Sequence, residues 1–252
     1  MPTFTPPFSD LADLQAQIKE KGFVLLRAAD LLKLSKHSFQ DWSAHFSEWD
    51  DLANDIYLKD GGRYRKRRHS SVSVMGQAIS VMPHRAHWQP LSYNALHGGI
   101  DRWFEPCSES FLDSAELQDL LKGLCQQFST VKNIPANTPW FVEIHQFRID
   151  TTDGIGRPTP EGAHRDGVDF VAVMLIERKN IKGGETRVFR NESPEGKRFT
   201  LSESLSLLLI DDEKVIHETT PIQPIDQKET ASRDTLVLTF RLNGFLDSPS
   251  KK

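Results

Sequence analysis

The sequence has few of the features that mark secreted, membrane or nucleic-acid-binding proteins. Only two of its 252 residues are cysteines, Cys107 and Cys125, which is too few for a disulfide framework or a thiolate metal cluster. No secretory signal is recognisable, and no apolar run approaches the roughly 20 residues of a membrane span. We therefore expect a soluble protein of the reducing cytoplasm that has no membrane partner.

The chain also lacks a strong net charge. The formal net charge is -4, which gives the whole protein no attraction to nucleic acid. Hydrophobic residues make up 38% and charged residues 26% of a chain that shows no internal repeat, as expected for one well-buried core. We predict a single domain over residues 1–252, with a helical and substrate-covering part at 1–139 and a β-rich part that carries the site at 140–245.

The hydrophobic spacing changes between the two parts of the chain. Apolar residues recur every three or four positions over 9–20, 30–50 and 111–128, as on one face of a helix, whereas the part after Trp140 consists of short β-type runs. The predicted strands are 140–149, 168–176, 185–190, 205–210, 214–217 and 234–242. Helices first and strands afterwards favour an α+β domain in which N-terminal helices buttress a barrel of antiparallel strands.

Three residues of the β-rich part have the chemistry of a metal site. His164 and Asp166 are two positions apart, so on a β-strand their side chains point to the same face, and His217 supplies a third ligand from a distant strand. Two imidazoles and one carboxylate on one face are typical of a non-haem Fe(II) oxygenase, which keeps other coordination positions open. The alternative is that both histidines are ordinary loop or core residues satisfied by backbone groups.

The order of these motifs along the chain is stronger evidence for the fold than any single motif. A His-x-Asp motif is followed by the turn residues Gly183 and Gly184, then by His217, and finally by Arg233 at the start of a strand rich in Val and Leu. A double-stranded β-helix, the jelly-roll or cupin-like barrel, supplies its metal ligands first and its carboxylate anchor last in the same order. The sequence therefore predicts this fold.

The same residues carry a resemblance to a known family. They are His145-Gln-Phe-Arg148, Thr159-Pro-Glu-Gly-Ala-His164-Arg-Asp166-Gly-Val-Asp-Phe170, Asn180 to Arg187, His217, and Arg233-Asp-Thr-Leu. With them, the chain resembles the 2-oxoglutarate- and Fe(II)-dependent dioxygenases, in the branch of bacterial hydroxylases of free amino acids such as L-isoleucine. Tyr64-Arg65 and Asn94 to Arg102 extend the similarity upstream.

The resemblance implies the cofactors and the reaction. Fe(II) would be bound by the triad, and 2-oxoglutarate and O2 would be consumed to give succinate, CO2 and a hydroxylated aliphatic side chain of a free L-amino acid. The far carboxylate of 2-oxoglutarate needs a cation, for which we predict Arg233, assisted by Thr235 on the same strand face. Arg241 is on the same face of the predicted strand as Arg233 and is the second candidate. Gln146 is a further candidate for contact with 2-oxoglutarate or substrate.

The substrate site is expected in the first part of the chain. Arg65 and Arg67 alternate as on a strand within a basic run, and either can hold a substrate carboxylate in a bidentate pair. The same run also fits a solvated loop or a small nucleic-acid patch. Asp169 is a candidate partner for the substrate ammonium or for a metal ligand, and the loop at 83–106 is predicted to cover the substrate.

Three functions from different classes therefore remain open at this point. The first is a hydroxylase of a free amino acid, which is a small-molecule substrate. The second is a 2-oxoglutarate oxygenase or demethylase that acts on a macromolecule, and it predicts binding to a polymer that weakens steeply with salt. The third is a non-catalytic barrel that only binds a ligand.

Overall fold

The structure is a computed structural model that describes residues 4–191 and 195–249. In these residues the helices are α1 (Leu14–Lys21), α2 (Ala28–Ser35), α3 (Phe39–Ser43), α4 (Glu109–Leu112) and α5 (Ala115–Lys132). The strands are β1 (Phe23–Leu26), β2 (Arg65–Met75), β3 (Ala78–Val81), β4 (Trp140–Asp150), β5 (Phe170–Lys179), β6 (Ile181–Gly183), β7 (Thr186–Arg190), β8 (Gly196–Phe199), β9 (Leu207–Asp211), β10 (Val215–Thr219), β11 (Ile222–Pro224) and β12 (Ser232–Arg241). No described helix has the length and apolar character needed to cross a membrane.

A side-chain hydrogen bond and a left-handed residue set the two ends of α5. The hydroxyl of Ser114 accepts a hydrogen bond from the Leu117 backbone N–H and so caps the start of α5. The helix ends at Asn133, whose φ of 55° lies in the left-handed region. Along α5 the buried side chains recur every three or four positions. This apolar stripe packs α5 against the sheet.

The main sheet has seven strands in the order β1-β9-β5-β12-β4-β2-β3. β12 lies at its centre and pairs antiparallel with both β4 and β5, so that Arg233 stands opposite Ile149 on one side and Arg178 on the other. Even-numbered residues of β12 such as Leu236 and Leu238 face the helices and belong to the large apolar core. Odd-numbered residues therefore point to the other face.

Two small sheets lie across that other face. β10, β7 and β8 form one, and β11 pairs with β6 to form the second. An isolated antiparallel bridge joins His164 to His217 in β10. Two facing layers of antiparallel strands, with helices outside the larger layer, make an α+β double-stranded β-helix and confirm the predicted fold class. We propose that the chain is a single domain, because helices and strands share one apolar core.

Most predicted elements are present, with differences in extent. The predicted strands at 140–149 and 234–242 are confirmed as β4 and β12, whereas the predicted helix at 30–50 consists of α2, α3 and a short 3-10 turn. The alternation of Arg65 and Arg67 on a strand is also confirmed, and β2 continues to Met75. The short strands β3, β6, β8 and β11 were not predicted, because three or four residues carry too little periodicity.

Four aromatic rings join α5 to the sheet. Phe128 in α5 stacks on Phe170 in β5 at 4.2 Å with an interplanar angle of 6°. Trp140 contacts both of these rings, and Phe240 contacts Phe128 edge-on. All four side chains are fully buried. Phe170 also begins the strand that follows Asp166, so this cluster connects the helical layer to the candidate site.

We expect Phe170→Ala to lower the free energy of unfolding by about 3–5 kcal/mol, because it removes a large ring from a closely packed cluster. Urea unfolding followed by circular dichroism measures this loss. The matched control is Phe39→Ala, since Phe39 is 47% exposed and should lose about 1 kcal/mol or less. Equal stability losses in the two variants would contradict the role given to the cluster.

Candidate active site

A cavity lies between the odd-numbered face of the main sheet and the small sheets. It is lined by residues from β2, β4, β5, β10 and β12, from the loop between β3 and α4, and from the loop that precedes β5. Its polar and charged lining residues are Arg65, Arg67, His87, Gln89, Asn94, Arg102, His145, Thr159, Glu161, His164, Asp166, His217, Thr219, Arg233, Thr235 and Thr239. The three predicted metal ligands and four arginines therefore share one enclosed space.

The structure brings His164, Asp166 and His217 together. The Nε2 atom of His164 lies 3.7 Å from one carboxylate oxygen of Asp166, and the Nε2 atom of His217 lies 3.8 Å from the other. One ligand atom of each residue lies within 4.8 Å of the other two. Two nitrogens and one carboxylate at this spacing can hold one divalent metal ion.

His164 and Asp166 belong to a loop and not to a strand. His164 makes only a single bridge, and Asp166 precedes β5 in irregular structure, so the predicted strand for this pair is wrong. Backbone hydrogen bonds of 3.0 Å in both directions between His164 and His217 fix the loop to β10. The carbonyl of Gly162 accepts from Nδ1 of His164 at 3.0 Å, which leaves Nε2 free to bind a metal.

A buried carboxylate that the sequence did not reveal holds the loop at Asp166. Asp212 is fully buried and accepts hydrogen bonds from the backbone N–H groups of Asp166, Gly167 and Val168 at 3.0, 2.8 and 3.2 Å. Burial and the nearby Asp166 carboxylate raise the pKa of Asp212 to about 7. Asp212 thus fixes the backbone that orients one predicted metal ligand.

Gly167 is required in this loop for two reasons. Its φ is +78°, and a Cβ atom built on it would lie 2.5 Å from the ring of Tyr93. A side chain here would be strained by the backbone conformation and would also collide with that ring. The glycine lets the chain turn sharply between Asp166 and β5.

The charges of the triad attract one another. Burial by itself lowers the pKa of His164, but the carboxylates of Asp166 and Glu161 outweigh it and raise that pKa to about 10. Burial and the neighbouring His164 lower the pKa of His217 to about 4, which keeps its imidazole neutral. Burial would raise the pKa of Asp166, yet the two histidines hold it well below its usual range. The same negative potential attracts a divalent cation.

Arg233 lies in the wall of the cavity without a counter-ion. It is 4% exposed, and among the described residues no carboxylate lies within ion-pair distance of it and its Nε has no hydrogen-bond partner. Burial and the adjacent Arg178 lower its pKa to about 10. Thr235 follows on the same face and also lines the cavity. A buried cation of this kind is suited to an anionic ligand.

Arg65 and Arg67 also line the cavity, but both already have partners. The Nε of Arg65 donates to Asp55 at 2.8 Å, and Arg67 lies 3.9 Å from the same carboxylate. Arg67 further donates to Nδ1 of His145 at 2.8 Å, and the ring of Phe104 lies 3.9 Å from its guanidinium. Burial lowers the pKa of Arg67 well below its usual value.

Three other predicted site residues are not among those that line the cavity. Arg241 donates to the carbonyl of Gly244 at the far end of β12. Gln146 is fully buried on the even-numbered face, toward the apolar core. Asp169 lies 3.1 Å from Lys132 and accepts from the backbone of Leu242 at 2.9 Å. None of these three side chains belongs to the wall of the cavity that contains His164, Asp166 and His217.

Sequence reasoning missed several residues of the cavity. Gln89, Asn94 and Arg102 come from the loop predicted to cover the substrate, and an antiparallel bridge between His87 and Arg102 closes the base of that loop. Glu161 precedes the metal-ligand pair and faces His164. An irregular loop has no periodicity, so no pattern in the sequence indicates which of its side chains point inward.

A second group of titratable side chains adjoins the cavity. His69, His87, Glu143 and His145 are all buried, and His69 and His87 lie 3.2 and 3.3 Å from the Glu143 carboxylate. Burial lowers the pKa of all three histidines, and the histidines hold that of Glu143 well below its usual range despite burial. The network fixes the orientation of His87 and His145 in the cavity wall.

A larger groove of about 980 Å³ lies at the end of the sheet near Asp150 and Ser232. Some of its charged side chains are already paired, since Arg148 binds Asp234 at 2.7 Å and Lys66 lies 3.2 Å from Asp150. None of the groups of metal-binding side chains found in the described residues belongs to it. Its size therefore does not make it the candidate site.

Several known proteins are similar to this chain. A bsmA homolog from Methylobium petroleophilum PM1 has a crystal structure with a TM-score of 0.91 and 45% identity, covering 98% of this chain and 99% of its own. L-isoleucine-4-hydroxylase from Bacillus thuringiensis is 28% identical over 231 residues, or 89% of this chain and 92% of its own. The crystal structure of IDO from Bacillus thuringiensis, at 18% identity and a TM-score of 0.75 over 93% of this chain and 100% of its own, shares the fold.

The family model of the 2OG-Fe dioxygenases matches residues 47–239, a range that includes β2 to β11 and nearly all of β12. This match covers more than half of the chain and contains every residue of the predicted triad. The third sequence-based alternative, a non-catalytic barrel, is therefore wrong. The chain belongs to the 2OG-Fe dioxygenase family and is an enzyme that uses Fe(II), 2-oxoglutarate and O2.

Proposed function

We propose that this enzyme hydroxylates an aliphatic carbon of a free L-amino acid and releases succinate and CO2. The observation that carries the proposal is the charge of the cavity. It holds one triad of metal-binding side chains and, on separate parts of its wall, the guanidinium groups of Arg233 and of Arg65, Arg67 and Arg102. Such a cavity is suited to two carboxylates, one from 2-oxoglutarate and one from a small substrate.

We propose that His164, Asp166 and His217 bind Fe(II). The donor set fits this metal, because two imidazoles and a carboxylate on one side of the ion leave positions for co-substrate and oxygen. The buried Nδ1 of His217 has no partner among the described residues, so its tautomer is not fixed by a neighbour. Asp212 acts as a positioning residue, because its three backbone hydrogen bonds hold the chain at Asp166.

We propose that Arg233 binds the distal carboxylate of 2-oxoglutarate, assisted by the hydroxyl of Thr235. Arg233 is buried and unpaired among the described residues, and a carboxylate would supply the missing charge and hydrogen-bond acceptors. When bound, Fe(II) and 2-oxoglutarate supply the oxidative chemistry that O2 drives. The protein's own residues orient both carboxylates and keep bulk water from the reacting carbon.

The substrate class is supported by the relatives and by the shape of the site. L-isoleucine-4-hydroxylase is named for the amino acid L-isoleucine, and apolar side chains such as Val173, Val237 and Phe147 line the cavity beside its charged groups. An amino acid presents the same combination of a charged end and an aliphatic side chain. We propose that Arg65 and Arg67 contribute positive potential at the substrate end.

The proposal predicts that wild-type enzyme supplied with Fe(II), 2-oxoglutarate and O2 will add one oxygen atom to at least one free aliphatic L-amino acid. Mass spectrometry of the amino acid and succinate formed in equal amount are the readouts. Peptides and single-stranded nucleic acid serve as the competing substrates. Oxygenation of a polymer, with none of any free amino acid, would replace this proposal with the macromolecular alternative.

For the metal ligands, we expect His164→Ala and His217→Ala each to lose Fe(II) binding and turnover while they stay folded. The reason is that each variant removes one of only three proposed protein ligands. Anaerobic calorimetry with Fe(II), circular dichroism and succinate release measure the three properties. His45→Ala is the control, because His45 pairs with Glu116 away from the cavity. Full activity in either ligand variant would refute the assignment.

For the 2-oxoglutarate anchor, we expect Arg233→Leu to raise the apparent KM for 2-oxoglutarate by roughly two to three orders of magnitude, since breaking a buried charged pair costs about 3–5 kcal/mol. The matched control is Arg241→Leu, which removes an arginine from the same strand but outside the cavity. Initial-rate kinetics at varied 2-oxoglutarate separate the two variants. A large rise in KM for Arg241→Leu alone would move the anchor to Arg241.

A further inference from the structure

One cation of the cavity differs from Arg65 and Arg67 in having no anionic partner. Arg102 is 2% exposed, and no described carboxylate lies within ion-pair distance of it. One of its terminal nitrogens donates to the amide oxygen of Gln89 at 2.9 Å, whereas its Nε has no partner. Burial lowers the pKa of Arg102 to about 10. A buried guanidinium in this state is stabilised by an incoming anion.

One carboxylate of the same cavity is similarly incomplete. The Oε2 atom of Glu161 is buried and has no hydrogen-bond partner among the described residues, and the side chain is only 12% exposed. Its other oxygen lies 3.7 Å from Nε2 of His164. That nitrogen is the one proposed to bind Fe(II), so with the metal bound it would have no proton to donate to Glu161. A substrate ammonium would supply hydrogen-bond donors to this carboxylate.

Arg102 is held near the proposed metal site by one intermediate residue, Gln89. The amide nitrogen of Gln89 lies 3.3 Å from a carboxylate oxygen of Asp166, while its oxygen accepts from Arg102 and Asn94. Arg102 is therefore linked to a proposed metal ligand through a single side chain. Its backbone is fixed by two hydrogen bonds with His87, at 2.9 and 3.1 Å.

We propose that Arg102 and Glu161 recognise the two charged groups of the substrate's backbone, with Arg102 binding the α-carboxylate and Glu161 binding the α-ammonium. This inference rests on the proposed function and specifies its substrate class as a zwitterionic α-amino acid. The pairing satisfies a buried donor and a buried acceptor that otherwise have no partner. Arg65 and Arg67 are less suited to the carboxylate, because Asp55 already binds Arg65 and lies near Arg67.

The test measures binding without turnover, by anaerobic calorimetry in the presence of Fe(II) and 2-oxoglutarate. The probes are the free amino acid that the wild-type enzyme binds best, its deaminated acid and its α-amide. For L-isoleucine these are 3-methylpentanoic acid, which lacks the ammonium, and L-isoleucinamide, which lacks the carboxylate. We expect the wild-type enzyme to bind the amino acid at least about 30-fold more tightly than either analogue.

Each variant should lose the preference of the enzyme for the amino acid over one of the two analogues only. Glu161→Gln should bind the amino acid no more tightly than wild type binds the deaminated acid, and its affinity for that acid should be unchanged. Arg102→Gln should bind the amino acid no more tightly than wild type binds the amide, and its affinity for the amide should be unchanged. A general loss of folding cannot produce this crossed pattern. Glu116→Gln is the matched control, since Glu116 is 16% exposed and also faces a histidine, but lies outside the cavity.

Two results would separate failure of this inference from failure of the proposed function. If wild type binds a free amino acid and both variants keep its preference over the analogues, Arg102 and Glu161 do not recognise the substrate, although the proposed function stands. The same holds if Glu161→Gln loses Fe(II) affinity in a separate metal titration and keeps amino acid discrimination. If the wild-type enzyme binds no free amino acid, the proposed function and this inference are both wrong.

Discussion

The structure depends on the burial of charged groups along one face of a β-sheet. In β12 the even-numbered residues enter the apolar core and the odd-numbered ones line the cavity, as strand geometry requires. β2 and β4 follow the same rule, so buried arginines and histidines face the cavity. Removing such groups from water costs several kcal/mol for each ion. Among the described residues, no carboxylate lies within ion-pair distance of Arg233 or Arg102, and the Nε atom of each has no hydrogen-bond partner. We interpret them as sites that anionic ligands complete.

A second constraint is the attachment of the loop between β4 and β5. This loop carries His164 and Asp166 and has no ladder of its own, yet its position is fixed by the bridge to His217 and by the buried carboxylate of Asp212. The arrangement lets a loop place metal-binding side chains with the rigidity of a strand. It also links the site to the core, since Phe170 follows directly and stacks on Phe128.

The sequence predicted the fold class and three residues that the structure brings together, His164, Asp166 and His217, because both depend on order along the chain and on residue type. The sequence did not show which of two arginines on the same face of one strand lies in the cavity. Arg241 shares the parity of Arg233 but lies eight positions away, which is about 27 Å along a strand. Gln146 lies on a strand buried on both faces, where periodicity does not show which face meets the cavity. Asp212, Arg102 and Glu161 act through contacts between segments far apart in the chain or within loops, for which one sequence offers no pattern.

The central claim is that one metal ion binds at His164, Asp166 and His217, inside the cavity that also contains Arg233. The most direct measurement is anomalous diffraction at the iron edge from crystals grown anaerobically with Fe(II) and 2-oxoglutarate. We predict a single strong peak within bonding distance of these three side chains, with the distal carboxylate of 2-oxoglutarate on Arg233. A peak among His69, His87, Glu143 and His145 instead, or iron bound with 2-oxoglutarate away from Arg233, would contradict the account.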